Sequence, residues 1–324
     1  MKLRPNLTIN TTKELSLRLG IKEELITQTS KKIKQSYSEF KEKDAKGKER
    51  HFYQAYGTLK LIHQRIDKRL LNTIEYPKRF QGGIKKRSIV SNAQLHTGKK
   101  FVVKLDIKSF FPTVTNKQVY QSFRNIGCAP DVARLITQLT TVDGHLPQGF
   151  TTSTKVAALV LRNPDKRLLA FLKPFGLKHS FWIDDITISG NQWNDSYLKI
   201  VTRIFQQEGL PLNQAKQEIV NVKKQQLVTG LVVNKKINIT KDKLRKIKQE
   251  VHFCEKFGVK EHLKNIGSTL TVDRYLQSLG GRIAQAYSAN RANKGLKEKL
   301  SSLLTIEKGK RKTEIEKAYP MLKQ

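Results

Sequence analysis

The sequence predicts an α+β fold, and three observations carry that reading. Long stretches place apolar residues at steps of three and four, the helical period. Short runs rich in β-branched and aromatic residues interrupt them. One such run, HSFWIDDITISG, sets two adjacent aspartates, Asp184 and Asp185, between two strand-forming arms. Aspartate is a poor strand residue and adjacent carboxylates repel, so the doublet asks for a reason. A hairpin turn is one, since aspartate is common in turns; a metal site is the other.

The elements follow in chain order. Leu15, Leu19, Ile26 and Ile33 predict helix over 12–35. Residues 37–43 and 48–53 predict two strand arms around a polar Asp44–Gly47 turn. Leu59, Ile62, Ile66, Leu70 and Ile74 share one face of a helix over 58–74. QGGIKKRS is a loop, with SIVSNAQLHTGKK after it. FVVKLDI, residues 101–107, is a short apolar strand with Asp106 near its end. Helical spacing returns over 116–140, then an Asp143–Gly144 turn, then a helix over 151–172 with Pro164 as its candidate break. Beyond the aspartate doublet, 195–209 reads as helix, QQLVTGLVVN as strand and 240–324 as helices.

The charge balance narrows the partners. The 324 residues carry 62 Lys plus Arg against 27 Asp plus Glu, a net charge of +35. Such an excess repels itself unless a polyanion neutralises it, and nucleic acid is the natural one; an anionic membrane surface is the rival. Residues 221–324 alone hold 24 Lys/Arg and 9 Asp/Glu. No run of 18 apolar residues predicts a spanning helix, and MKLRPNLTINTTKELSL has no secretory h-region. Cys128 and Cys254 lie far apart with no zinc spacing, which fits a reducing cytosol. The expected location is therefore cytoplasmic.

If the strand ending at Asp106 neighbours the strands flanking Asp184 and Asp185, three carboxylates converge, and their repulsion calls for a cation. Mg²⁺ is bound through one or two carboxylates plus substrate phosphates, and a pair of such ions suits the displacement of pyrophosphate by a hydroxyl.

The wording around these aspartates carries a resemblance. LDIKSFFPTV (105–114), LPQGFTTST (146–154) and WIDD (182–185) resemble the palm motifs of reverse transcriptases, and NAQLH (92–96) with VTGLVVN (228–234) is similar to the bacterial retron-type enzymes. The resemblance implies a right-hand polymerase fold: N-terminal helices and fingers over 1–100, an antiparallel palm over 101–222 with a fingers segment at about 115–150, and a basic helical thumb over 223–324. It implies two Mg²⁺ ions, with Mn²⁺ as a substitute, on Asp106, Asp184, Asp185 and the Ile107 carbonyl. Phe111 would exclude a 2′-hydroxyl. Gln148 and Gly149 would line the nucleotide pocket, Lys48 and Arg50 would hold the triphosphate, and Lys216 would protonate pyrophosphate. Asn92, His96, Val228, Thr229 and Gly230 would bind RNA. The implied partners are a structured non-coding RNA serving as template and primer, its DNA product, dNTPs and an effector protein from the same locus, in antiphage defence.

Two departures from the family pattern stand out: Trp182-Ile183 in place of Tyr-Ala, and Phe150-Thr151-Thr152-Ser153-Thr154 after the Gln-Gly. They leave room for an enzyme making repetitive or untemplated DNA. A catalytically silent RNA-binding scaffold is the alternative from another class. Residue by residue the plainer readings are a turn for the doublet, core packing for Phe111, His96 and Trp182, and solvated surface for Lys48, Arg50 and the lysines of 306–317.

Overall fold

The computed structural model describes residues 7–43, 47 and 49–305. The chain divides into two compact units at Lys224/Gln225. The Asp44–Gly47 turn, apart from Gly47, lies outside the described residues, as do Lys48 and the lysine-rich stretch 306–317.

The N-terminal unit runs α1 (Thr12–Leu19), α2 (Glu23–Lys31), β1 (Tyr37–Lys43), β2 (Glu49–Ala55), α3 (Gly57–Arg69), α4 (Ile89–His96), β3 (Phe101–Asp106), α5 (Phe110–Thr113), α6 (Asn116–Asn125), α7 (Pro130–Thr140), α8 (Ser153–Val160), α9 (Arg162–Leu172), β4 (Lys178–Trp182), β5 (Asp185–Gly190), α10 (Ser196–Gln207) and β6 (Glu218–Asn221). Three single helices of the sequence reading are pairs. The 12–35 run breaks after Leu19, and the 116–140 run breaks at 126–129, where Pro130 opens the next helix. The 151–172 run breaks at Leu161 rather than Pro164, which sits in the first turn of α9. A first-turn N–H has no partner within its helix, so proline is tolerated there. Helix α3 stops at Arg69, and a short 3₁₀ turn, Leu71–Thr73, takes the chain on.

Strands β4, β5, β3 and β6 form one antiparallel sheet in that spatial order. Its central strands bury Val102, Val103, Leu105, Ile186 and Ile188, and α4 and α9 pack against β4. A layer built from α1, α2, α3, α6, α7 and α8 joins the same hydrophobic core. Hairpin β1–β2 pairs Tyr37 with Ala55 at its base. It is pinned there by the Tyr53 N–H, which donates to the Gln148 carbonyl at 2.8 Å.

In the C-terminal unit, QQLVTGLVVN folds as a two-stranded hairpin of β7 (Leu227–Val228) and β8 (Leu231–Val232). Thr229 and Gly230 both have positive φ, the type I′ turn that suits a two-residue loop. Helices α11 (Lys241–Phe257), α12 (Val259–Asn265) and α13 (Val272–Ala289) follow, and residues 294–305 are helical. Arg282 grips Glu250 through two bonds of 2.6 Å, and the Tyr275 hydroxyl donates to the same carboxylate at 2.9 Å, tying α13 to α11. Among the described residues no helix is long and apolar enough to cross a membrane.

Candidate active site

Strand β3 delivers Asp106 as its last residue, and Asp106 stands directly opposite Asp185, the first residue of β5. Opposed residues in an antiparallel pair have Cα atoms about 4.5–5.5 Å apart. Asp184 occupies the turn just before, and its carbonyl accepts from the Ile107 N–H at 3.2 Å. The Asp106 carbonyl accepts from Asn213 N–H at 2.7 Å and the Pro211 carbonyl from Lys108 N–H at 2.9 Å, which fixes the segment carrying Lys216 beside the strand end. The three carboxylates therefore meet at one corner of the sheet because β3 and β5 are adjacent and in register.

The corner is electrostatically crowded. Loss of hydration, then repulsion from Asp106, pushes the Asp184 carboxyl above its ordinary range. Asp185 keeps an open edge to solvent, yet loss of hydration around its carboxyl, then repulsion from Asp184 and Asp106, pushes it up to about 6. The Lys216 ammonium lies 2.8 Å from Asp106 Oδ1 and partly offsets the negative charge. Among the described residues no group of three or more His, Cys, Asp or Glu side chains is placed to hold a metal ion; the carboxylates are brought to one corner by their strands. The donor set is an open group of hard carboxylate oxygens carrying excess negative charge, which fits Mg²⁺ or Mn²⁺ completed by phosphate oxygens.

The turn that carries Asp184 is strained. The β4–β5 hairpin has a two-residue loop, Ile183–Asp184, between the paired Trp182 and Asp185. Ile183 has φ +62° at the first loop position, where glycine is the usual occupant. A β-branched residue there costs on the order of 1–3 kcal/mol, tolerated only where the surroundings enforce it.

A cavity of about 560 Å³ opens onto this corner. Asp106, Ile107, Asp184 and Lys216 form one side, and Arg50, Phe111 and Gln148 are further around its wall. Phe111 arrives there because the chain turns sharply at Ser109, φ +48°, into α5, which sinks Phe110 into the core and leaves Phe111 at the cavity. Gly149 lies behind the wall: a Cβ on it would fall 2.6 Å from the Tyr53 carbonyl oxygen, and its φ is +113°. Only glycine allows the hairpin strand to approach this closely. The cavity wall also contains His51, Tyr53 and His145, which the sequence reading did not single out, and Asp143, which it read only as a turn residue. The period-two alternation of ERHFYQA was the available signal for His51 and Tyr53, which share a face of β2.

The structure corrects other assignments. Asn92 and His96, expected to bind RNA, are both fully buried. The Ser180 hydroxyl donates to Asn92 Oδ1 at 2.6 Å, and His96 bridges Ser180 through Nε2 and Ser189 through Nδ1, each at 2.7 Å. Ser180 has one proton and commits it to Asn92, so Nε2 carries the imidazole hydrogen and Nδ1 accepts from Ser189. Burial, then His179 and nearby lysines, hold the His96 pKa down at about 3, so the ring is neutral. The NAQLH segment fastens α4 to β4 and β5; in this structure neither side chain has a surface for RNA. Val228 is likewise buried, whereas Thr229 is half-buried and Gly230 exposed at the β7–β8 turn. Phe150 belongs to the core, its ring 4.5 Å from that of His63 and 5.9 Å from that of Tyr37, so it joins the β1–β2 hairpin to the sheet-bearing body.

Comparison with known proteins identifies the family. The family model described as reverse transcriptase (RNA-dependent DNA polymerase) matches residues 40–262. The Retron Se72 reverse transcriptase of Salmonella heidelberg is 34% identical over 258 residues, covering 76% of this chain and 68% of its own. The Retron Ec86 reverse transcriptase of Escherichia coli is 29% identical over 259 residues, covering 76% and 80%. A solved telomerase from Candida albicans is 10% identical with a TM-score of 0.46 over 88% of this chain and 68% of that one, too slight a likeness to argue from. Paired aspartates on neighbouring strands, in a chain 34% identical over 258 residues to a retron enzyme and matched by the family model over residues 40–262, place this protein in the reverse transcriptase family as a retron-type member with the right-hand polymerase fold.

Proposed function

We propose that this RNA-directed DNA polymerase copies part of a structured non-coding RNA, which also supplies the primer, into RNA-linked single-stranded DNA, and does so in antiphage defence. The observation that carries the catalytic part is the register of Asp106 against Asp185, with Asp184 in the adjoining turn. Hairpin β1–β2 would serve as fingers, residues 101–222 as palm, and the basic residues 223–324 as thumb.

Asp106, Asp184 and Asp185, with the Ile107 carbonyl, would hold two Mg²⁺ ions, which when bound would activate the primer hydroxyl and offset the charge on the leaving pyrophosphate. The chain's own residues do the rest. Arg50 at the cavity wall would bind the triphosphate by charge-assisted hydrogen bonds. The Phe111 ring would occupy the space a ribose 2′-hydroxyl needs. Gln148, fixed through its carbonyl to Tyr53, would orient the nucleotide. Lys216, an ammonium beside Asp106, would give its proton to the departing pyrophosphate oxygen. Thr229 and Gly230 would meet RNA by backbone and shape. Lys48 would join Arg50 on the triphosphate.

The test supplies purified protein with the structured RNA of its own locus, dNTPs and Mg²⁺, and sequences the product. The expected result is a DNA copy of part of the RNA, covalently joined to it, made by wild type and lost in Asp184→Ala/Asp185→Ala. No DNA, or equal DNA from the variant, rejects the catalytic reading; a homopolymer or short repeat rejects templated copying.

A further inference from the structure

We propose that residues 79–83 form a positioning strap that holds the strained Ile183–Asp184 turn in shape and so aims the metal-binding carboxylates. This rests on the reading of Asp184 and Asp185 as metal ligands. The turn needs something to enforce it, because Ile183 holds a positive φ that its own branched side chain opposes. The strap lies directly against it. The Arg79 carbonyl accepts from the Phe181 N–H at 2.8 Å, and the N–H groups of Gln81 and Gly82 donate to the Phe181 carbonyl at 2.8 and 3.2 Å. The strap thereby pairs with the outer edge of β4, two residues before Ile183.

Gly82 makes the strap's closest approach to the turn. A Cβ on it would fall 2.5 Å from the Ile183 nitrogen, 2.7 Å from Ile183 Cγ1 and 2.8 Å from the Trp182 carbonyl carbon. Two of those three atoms are backbone and cannot swing aside.

The strap is anchored at its other end. The Arg79 guanidinium forms two hydrogen bonds to Asp165, a carboxylate buried in α9. His179 of β4 reaches the same carboxylate, Nε2 to Oδ1, at 2.8 Å. Arg79, Asp165 and His179 resemble a catalytic set in composition, but they sit away from the cavity wall and grip one another. Their role is to fix the start of the strap to both α9 and β4, so that Gly82 can press on the turn. Arg79, Gly82 and Asp165 are positioning residues.

The experiment compares wild type, Gly82→Ala, Gly82→Ala/Ile183→Gly and Asp165→Asn. Terbium(III) luminescence titrations report metal affinity directly, and Mg²⁺ titrations of dNTP incorporation report it in turnover. RNA affinity, dNTP KM and melting temperature are measured alongside. Gly82→Ala is expected to weaken terbium binding and raise the half-saturating Mg²⁺ by about tenfold or more, and to lower kcat by about 10²-fold. RNA affinity and dNTP KM should stay within about threefold. Ile183→Gly in that background should recover at least about tenfold of the metal affinity, because glycine takes the positive φ unaided. Asp165→Asn should fall between. Terbium affinity unchanged in Gly82→Ala, or a loss that follows melting temperature and RNA binding in proportion, overturns the proposal. Should wild type bind terbium but make no DNA, the polymerase reading fails while the strap is still tested by affinity alone.

Discussion

Asp185 is the residue on which charge and chemistry meet most sharply. Its folded carboxyl titrates at about 6, above the ordinary 3.8. A raised carboxyl pKa means the folded state binds the proton more tightly than the unfolded one, so ionising it at neutral pH opposes folding. Its contribution to stability grows as pH falls from about 6 toward 3.8 and is lost as pH rises through 6. Asp185→Asn removes that opposition: the metal-free variant should melt higher than wild type at pH 7.5, with a flatter dependence between pH 7.5 and 5, by scanning calorimetry. The same variant should lose incorporation by about 10³-fold or more, because charge stabilisation at the reacting phosphate goes with it. For wild type, the Mg²⁺ needed for half-maximal activity should rise steeply below pH 6, since proton and metal compete for the carboxylates. At the cavity wall, Phe111→Ala should let ribonucleotides in, lowering the dNTP-over-rNTP preference by about 10–100-fold in kcat/KM.

Which elements the sequence revealed, and which it hid, follows from what each pattern encodes. The strand ending in Asp106 and the doublet between two strands were legible from their apolar, β-branched runs, while the metal reading came from the motifs taken together, since the doublet alone reads equally as a turn. Adjacency of β3 and β5 stood in the sequence only as a supposition, and both it and the register that opposes Asp106 to Asp185 needed the coordinates. Helix breaks were hidden where the apolar period continues across them, as at Leu161, where the residues on either side keep the same buried face. His96 looked like a binding residue because its burial depends on Ser180 and Ser189, more than 80 positions away. The Arg79–Asp165 anchor was invisible for the same reason, its partners lying 86 positions apart. Two glycines show how an element's neighbours set the outcome of one added methyl. Gly281, exposed on α13, would meet nothing within 4 Å, so Gly281→Ala should raise stability by about 0.5–1 kcal/mol in chemical denaturation. Gly149→Ala should lower stability by about 1–3 kcal/mol and weaken dNTP binding, because the methyl forces β2 away from the cavity wall.

At the scale of the whole molecule, a net charge of +35 makes nucleic-acid affinity a salt-dependent quantity. Affinity for its RNA should drop by about 10³-fold or more between 50 and 200 mM salt on the scale of proteins making six to ten phosphate contacts, read as the slope of log affinity against log salt. Charge alone would serve any RNA-binding protein; three carboxylates at one sheet corner serve a polymerase. Electron paramagnetic resonance of Mn²⁺ with the protein–RNA complex and a dNTP tests that distinction most directly, comparing wild type with Asp184→Asn/Asp185→Asn. The account predicts two tightly bound Mn²⁺ ions in wild type and their loss in the variant, with RNA still bound. Equal Mn²⁺ binding by both proteins would contradict it.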